Sequence, residues 1–331
     1  AGNAISFLPP FQVAAIAGVI GPVSALYGSE AMGGVISVTS KWFEGPIVRA
    51  SVQTNDTARS VSIGTPLGDD TSLGLTLREA SDADAPNGMP LHSQYQQTAI
   101  QLQHRERWDD LTASISALGS WGQDIGKSTR AYPDAQVTDY PHERHSVLKF
   151  ELERRQKWLW RVYHHAQDWQ SRSSRLEGMT AENHYQAQTF GSLFYLANDL
   201  AGGTGRIGIE WVGRRGVEIR YREWDAEGNA TQSDTAIDGR QDNAGLFVDQ
   251  QWGLGSLHLG MGFRFDHISQ EANGSVRRHT APSASLRLDG RLSPYWSVFA
   301  HAGSGFRFPA LSELYYRGVT ARGAIKGNPT L

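Results

Sequence analysis

Cysteine is absent from the 331 residues. Its absence excludes a disulfide scaffold, a thiolate metal site and a cysteine nucleophile, and it suits a chain that meets an oxidising compartment without risk of mispaired thiols. Long apolar runs are absent as well. No stretch of about 18 apolar residues occurs, so no membrane helix is expected, and the mean hydropathy is −0.42. Neither sign of charge is in excess: 31 Lys and Arg stand against 34 Asp and Glu, a formal net charge of −3. No basic face for nucleic acid is supplied by that balance. Nucleophile elbows, H-E-x-x-H, phosphate loops and strand-linked dinucleotide fingerprints are all lacking, so neither enzyme activity nor a cofactor is expected. A leader is lacking too. Residues 1–20 are apolar but have no basic n-region, and Pro9-Pro10 interrupts them, which reads as a chain starting mid-protein.

What the sequence has in quantity is glycine and aromatics: 36 Gly, 10 Trp, 11 Tyr and 12 Phe. From residue 46 onward it alternates with period 2. In the stretch 257–266, Leu257, Leu259, Met261, Phe263 and Phe265 share one face, while His258, Gly260, Gly262, Arg264 and Asp266 share the other. The stretches 98–103, 148–153 and 284–289 repeat the pattern. An apolar face backed by full charges fits a soluble sandwich or a membrane barrel, whose second face is a wet lumen.

Connection lengths separate these two. About thirteen strands are expected, near 46–54, 57–65, 71–80, 94–104, 110–121, 144–155, 158–169, 183–197, 206–224, 241–252, 256–268, 279–291 and 295–306. Short links (66–71, 105–110, 156–157, 252–256, 293–294) alternate with long ones (81–93, 122–143, 170–182, 225–240, 269–278). The link 198–205 is intermediate, and the first tip, Asn55-Asp56, is short. Short turns on one rim and long loops on the other are the pattern of an outer-membrane barrel. Trp108, Trp121, Trp158, Trp160, Trp169, Trp211, Trp224, Trp252 and Trp296 fall near segment ends, as interfacial belts require.

Two motif clusters remain. Residues 21–41 carry Gly21-Pro22, Ser24, Leu26-Tyr27-Gly28, Ala31, Gly33-Gly34, Val35-Ile36 and Thr39. Read physically, Gly21-Pro22 is a turn, the other glycines mark positive φ or close backbone approach, and 35–39 is a β segment. Near the other end lie Gly305-Phe306-Arg307-Phe308-Pro309, then Leu311-Ser312-Glu313-Leu314-Tyr315, then Gly327-Asn328-Pro329-Thr330-Leu331. Taken alone, Arg307 and Glu313 are a loop pair and Asn328-Pro329 a turn.

The first cluster closely resembles the end of the plug domain of TonB-dependent outer-membrane receptors of the ferrienterochelin and colicin receptor type. The second is similar to their F-R-A-P and N-P-N-L boxes. The resemblance implies an all-β fold: a transmembrane antiparallel β-barrel, about 13 of ~22 strands present, with the C-terminal remnant of an α+β plug. Residues 1–42 would be plug and 43–331 the first part of the barrel. Upstream of Gly21 the family carries charges facing the barrel interior, where this chain has Ala14, Ala15, Ala17 and Ile20.

The function implied is TonB-energised uptake of a bulky ligand at the bacterial outer membrane, a ferric siderophore being the family's commonest cargo. Cobalamin, haem, copper or oligosaccharide are alternatives. A passive porin or a soluble binding domain is the alternative from another class. Implied partners are TonB of the TonB–ExbB–ExbD complex, the ligand, and outer-membrane lipid with lipopolysaccharide; nucleic acid is not among them. Ligand contacts in the family come from plug apices and long loops, which makes Arg130, Tyr132, Tyr140, Arg172, Arg175, Tyr315, Tyr316 and Arg317 candidates. His142 and His145 are candidate metal ligands, but three residues apart in a strand they face opposite sides. His164-His165 is limited in the same way, and no histidine lies between Pro309 and Asn328. Asp82 and Asp84 form a possible Ca²⁺ pair in a loop.

Overall fold

A computed structural model describes residues 7–20, 24–28, 31–53, 58–127, 136–175, 178–320 and 323–331. Two elements come first: β1 (Val13–Ile20) and β2 (Gly34–Ser40), an antiparallel pair with the single helical turn α1 (Ser24–Tyr27) between them. Thirteen strands follow: β3 (Ile47–Val52), β4 (Arg59–Pro66), β5 (Thr71–Ala80), β6 (Tyr95–Trp108), β7 (Leu111–Gly126), β8 (Gln136–Arg154), β9 (Trp158–Arg175), β10 (Thr180–Asn198), β11 (Thr204–Trp224), β12 (Ala230–Leu254), β13 (Leu257–Ala272), β14 (Ser275–Arg291) and β15 (Ser297–Gly303). Each pairs antiparallel with its sequence neighbour, in one unbroken order from β3 to β15. A short helix α2 (Leu311–Tyr315) and a two-stranded ribbon, β16 (Arg317–Thr320) with β17 (Gly323–Lys326), end the chain.

The expected alternation is realised residue by residue. Along β13, Arg264, Asp266, Ile268 and Gln270 are at most 1 % exposed, while Met261, Phe263 and Phe265 are 47–49 % exposed. Among the described residues no second layer covers the outer side of this sheet, and the face left uncovered is the apolar one. Ile100, Leu102, Ile115, Leu148, Phe190, Ile207, Ile209 and Leu246 all stand on that outer face. In water so large an apolar surface would be an aggregation site; in a bilayer it is a lipid-facing belt. Several strands run to 16–25 residues, well beyond the ~9–11 needed to cross the hydrocarbon. They therefore project past the membrane on the side of the longer tips.

That projection corrects the expected long loops. Of the stretches 122–143, 170–182, 225–240 and 269–278, most residues are strand. Residues 273–274 alone join β13 to β14, with both Asn273 and Gly274 at positive φ (52° and 79°), the two-residue turn that Asn-Gly favours. The strand signal was hidden because, above the belt, the outer face turns polar while apolar side chains move to the inner face, so the apolar period set by the belt breaks. Among the described residues of these long links, only the stretch 81–94 stays largely irregular. There Asp82 Oδ1 accepts from the Ser93 and Gln94 amides (2.6 and 3.0 Å), so it organises the loop rather than offering a free Ca²⁺ ligand. A second correction concerns the girdle. Trp108, Trp121, Trp160 and Trp211 do stand exposed on the outer face, but Trp169 turns inward onto Tyr185.

Candidate functional site: the inner wall and its covering segments

The concave face of the sheet is polar, and the N-terminal elements sit against it. Gln12, 2 % exposed, donates to the Ala99 carbonyl (3.2 Å) and reaches Thr76 Oγ1. Phe43, 1 % exposed, lies over Gly64 and Gly74, where any Cβ would collide with its ring. Its amide donates to Ser72 Oγ at 2.9 Å. The Lys41 carbonyl accepts from both Gln101 and Gln103 (2.8 and 2.7 Å). The passage from β2 into the sheet is thus anchored by a buried aromatic and three side-chain hydrogen bonds.

Within the plug-like motif the glycines have distinct duties. Gly28 sits at φ 82°, and an added Cβ would lie 3.3 Å from Arg264 Nη2, so the chain approaches the wall closely there. Gly34 at φ 136° faces the Val19 carbonyl, which leaves no room for a Cβ. Gly33 meets nothing within 4 Å. Ser24 and Leu26 belong to α1, and Tyr27 is 50 % exposed. Gly21 and Pro22 lie outside the described residues.

Beneath α1 the wall supplies its own cation. Arg264 Nε and Nη2 donate to the two Asp266 carboxylate oxygens (2.8 and 2.9 Å), and Nη2 also donates to Glu210 Oε2 at 2.8 Å. The Arg264 and Asp266 side chains are 1 % and 0 % exposed. The β1 positions Ala14, Ala15, Ala17 and Ile20, where the family carries charge, stay exposed and reach no ion pair. Among the described residues, the acids under α1 are therefore neutralised from the wall.

Towards the long-tip side the inner wall becomes aromatic. Trp169 stacks on Tyr185 (centroids 3.8 Å, 9° between planes) and Tyr140 leans on Trp169 at 5.2 Å, with the Lys127 ammonium 4.0 Å from the Tyr140 ring centre. Beside them and towards the tips, Ala181, Ile219, Tyr221, Ala236, Ile237 and Ala272 form a buried cluster completed by Leu311 and Tyr316 of the last segment. The Tyr316 hydroxyl donates to Asn183 Oδ1 at 2.6 Å. Burial, with Tyr185 and Tyr221 nearby, pushes its phenol above the ordinary value.

The two C-terminal boxes, twenty residues apart in sequence, meet through Glu313. Arg307 forks onto its carboxylate (Nη1–Oε2 2.5 Å, Nη2–Oε1 2.9 Å), the Ala310 amide donates to Oε2 at 2.8 Å, and the Glu313 carbonyl accepts the Asn328 amide at 2.8 Å. Arg307 first, then that backbone donor, holds the Glu313 carboxyl below its ordinary value. The boxes are then tied to the wall. Gln270 donates to the Pro309 carbonyl (2.8 Å), Arg277 donates to the carbonyls of Pro329 and Leu331 (2.9 and 2.5 Å), and Phe306 packs edge-on against Phe308.

Of the remaining candidates, Tyr315 and Tyr316 join the buried inner cluster, Tyr140 stands in the aromatic stack of Trp169 and Tyr185, and Arg317 is exposed. Arg172 does not join them: it stands on the outer face in an ion pair with Glu182 (3.2 Å). Arg130 and Tyr132 lie outside the described residues. Sequence reasoning missed Tyr185 and Asn183, whose inward period-2 positions on β10 were the available signal. His142 and His145 are separated by the sheet. His145 faces inward, its Nδ1 3.0 Å from His165 Nε2, with Phe7 stacked on it at 4.3 Å. His142 faces outward. His164 likewise lies outside, stacked on Phe190 at 4.6 Å.

This architecture has relatives. The chain is 27 % identical over 353 aligned positions to the iron-regulated outer membrane virulence protein of Vibrio cholerae serotype O1, covering 98 % of this chain and 49 % of that one; the chain thus spans about half the length of the curated relatives it matches. Among solved structures it is similar in fold to the copper transporter OprC (TM-score 0.76, 16 % identity, 93 % of this chain and 52 % of that one). The Serratia marcescens hemophore receptor HasR is similar too (0.72, 14 %, 97 % and 55 %), as is the Yersinia pestis ferric yersiniabactin uptake receptor FyuA (0.65, 14 %, 86 % and 51 %). The family model described as TonB dependent receptor-like, beta-barrel matches residues 54–331. The chain therefore belongs to the TonB-dependent receptors, β-barrel proteins of the bacterial outer membrane.

Proposed function

We propose that this chain is part of a receptor that takes up a ferric siderophore at the outer membrane with energy delivered by TonB of the TonB–ExbB–ExbD complex. Residues 1–42 would act as plug and 43–331 as barrel. The observation that carries the reading is the inner aromatic wall, Tyr140–Trp169–Tyr185 with Lys127 at its head, on the side of the sheet that projects past the lipid belt. Flat aromatic surface beside a cation suits a bulky, anionic, partly aromatic iron chelate. The iron-regulated Vibrio relative and the FyuA fold support the same cargo. Ligand contacts are assigned to Tyr140 and, from the last segment, Tyr315, Tyr316 and Arg317, with Tyr132 added from its sequence position alone. The outer face would meet membrane lipid and, on the external side, lipopolysaccharide.

A second reading, haem or copper as cargo, is favoured by the inward His145–His165 pair stacked under Phe7. The two part in one experiment. Cells carrying or lacking the receptor gene are given ⁵⁵Fe-siderophores, haem, copper or cobalamin under limitation. Receptor- and TonB-dependent ⁵⁵Fe uptake is expected; receptor-dependent growth on haem or copper alone would replace the siderophore reading.

A further inference from the structure

The outer face of the sheet changes character along β8–β10. Up to Leu148, His164 and Phe190 its side chains pack as a belt; beyond them the outward positions are Arg144, Asp168, Gln186 and His184. At that border three metal-ligating side chains from three strands converge. His142 Nε2 and His184 Nε2 lie 2.9 and 2.8 Å from the same oxygen, Asp168 Oδ1. The two imidazoles meet edge to face at 5.7 Å. All three donor atoms fall within 4.8 Å of one another, and each side chain is 23–35 % exposed.

The convergence is built by the backbone. Continued from the Glu143–Trp169 pair, the β8–β9 ladder sets His142 opposite Gln170, whose partner on β10 is His184, with Asp168 the next outward residue along β9. Between Asp139 and Glu143 the β8–β9 register slips by one residue, with Pro141, which cannot donate to the ladder, inside the slip. The slip ends the regular ladder on the tip side of His142, and from His142 down the strand alternates, sending His142 outward and His145 inward.

We propose that His142, Asp168 and His184 form a binding site for a divalent first-row transition ion, Zn²⁺ or Cu²⁺, on the outer wall just beyond the lipid belt. Two imidazoles and one carboxylate are the donor set these ions take, whereas Ca²⁺ and Mg²⁺ prefer all-oxygen shells. The Gln186 amide nitrogen donates to Asp168 Oδ2 at 3.3 Å and lies 3.4 Å from His184 Nε2, so it braces two of the ligands while water completes four-coordination. Binding displaces the shared hydrogen bonds at Asp168 Oδ1, and the ion then ties three adjacent strands together. The site faces away from the lumen and owes nothing to the cargo assignment.

The test uses the receptor extracted from the outer membrane in detergent, free of any polyhistidine tag. Zn²⁺ titrated calorimetrically should bind one ion per chain at this site. His142→Gln, Asp168→Asn and His184→Gln should each weaken it by at least the roughly 10-fold that even supporting partners of a metal site cost, while His145→Gln leaves it unchanged. Equal loss with His145→Gln, or retention in His184→Gln, would overturn the proposal. Independently of whether the variants fold, the wild-type Cu²⁺ complex should show coupling to two imidazole nitrogens in its electron paramagnetic resonance spectrum. A spectrum without nitrogen coupling overturns it as well.

Discussion

Replacing Arg264 by methionine tests the wall's internal neutralisation most directly. The guanidinium is 1 % exposed and satisfies Asp266, 0 % exposed, with two hydrogen bonds, and Glu210, 25 % exposed, with a third. Methionine preserves most of the volume but leaves a buried carboxylate without its cation, which costs ~3–5 kcal/mol. Glu210 adds less, because its greater exposure lets water screen it. The expected loss is therefore about 3–5 kcal/mol, or roughly two to four decades in the unfolding equilibrium. Arg264→Lys should fall between, since a point charge cannot reproduce the fork onto Asp266. The double variant Arg264→Met/Asp266→Asn should recover much of the loss, because the uncompensated charge is gone. Urea-induced unfolding of the receptor in lipid vesicles, followed by tryptophan emission, measures all three. A loss below ~1 kcal/mol for Arg264→Met would refute the reasoning, since that is the range of a solvated surface pair. Failure of the double variant to recover would show that packing against Gly28, rather than charge, carries the effect.

Three further outcomes are expected. Phe43→Ala removes a ring 1 % exposed over Gly64 and Gly74 and should cost about 3–5 kcal/mol in the same unfolding assay. Gly34→Ala combines φ 136° with collision against the Val19 carbonyl; it should break the β1–β2 pairing and expose residues 13–40 to limited proteolysis, whereas Gly33→Ala should not. Glu313 has a folded pKa depressed by Arg307 and the Ala310 amide. The clamp it makes is then fully present above the unfolded carboxyl value of about 4.3 and is lost as pH falls through the lower folded value. Amide exchange at residues 311–316 should accordingly quicken below about pH 4, and Glu313→Gln should remove that pH dependence.

How much of this was legible beforehand follows from how local each signal is. The thirteen strands and their order were readable because alternation at 257–266 or 148–153 depends only on the pleat. The lengths of the projecting hairpins were not, because beyond Leu148, Phe190 and Phe265 the outer face turns polar while apolar residues shift to the inner wall; Asn273-Gly274 was a turn signal there that the residues did offer. In the motifs, positive φ at Gly28 and Gly34 followed from residue type, yet Arg264 as the neighbour of Gly28 did not. Nothing in the spacing of residues 28 and 264 brings them together.

By itself, then, the sequence determined which side chains share a face, that one face is apolar along strand after strand, and, through its plug and loop motifs, the family. The tertiary structure alone decided what the other face holds. Pairing across strands set Arg264 between Asp266 and Glu210, folded Leu311 and Tyr316 onto the wall by Asn183, and turned Trp169 inward. It also brought His142, Asp168 and His184 from three strands to one spot on the outer wall. A strand's period is fixed by its own backbone, but register and bulges are settled only by the partner strand, so the chemistry built across strands appears only once they are paired.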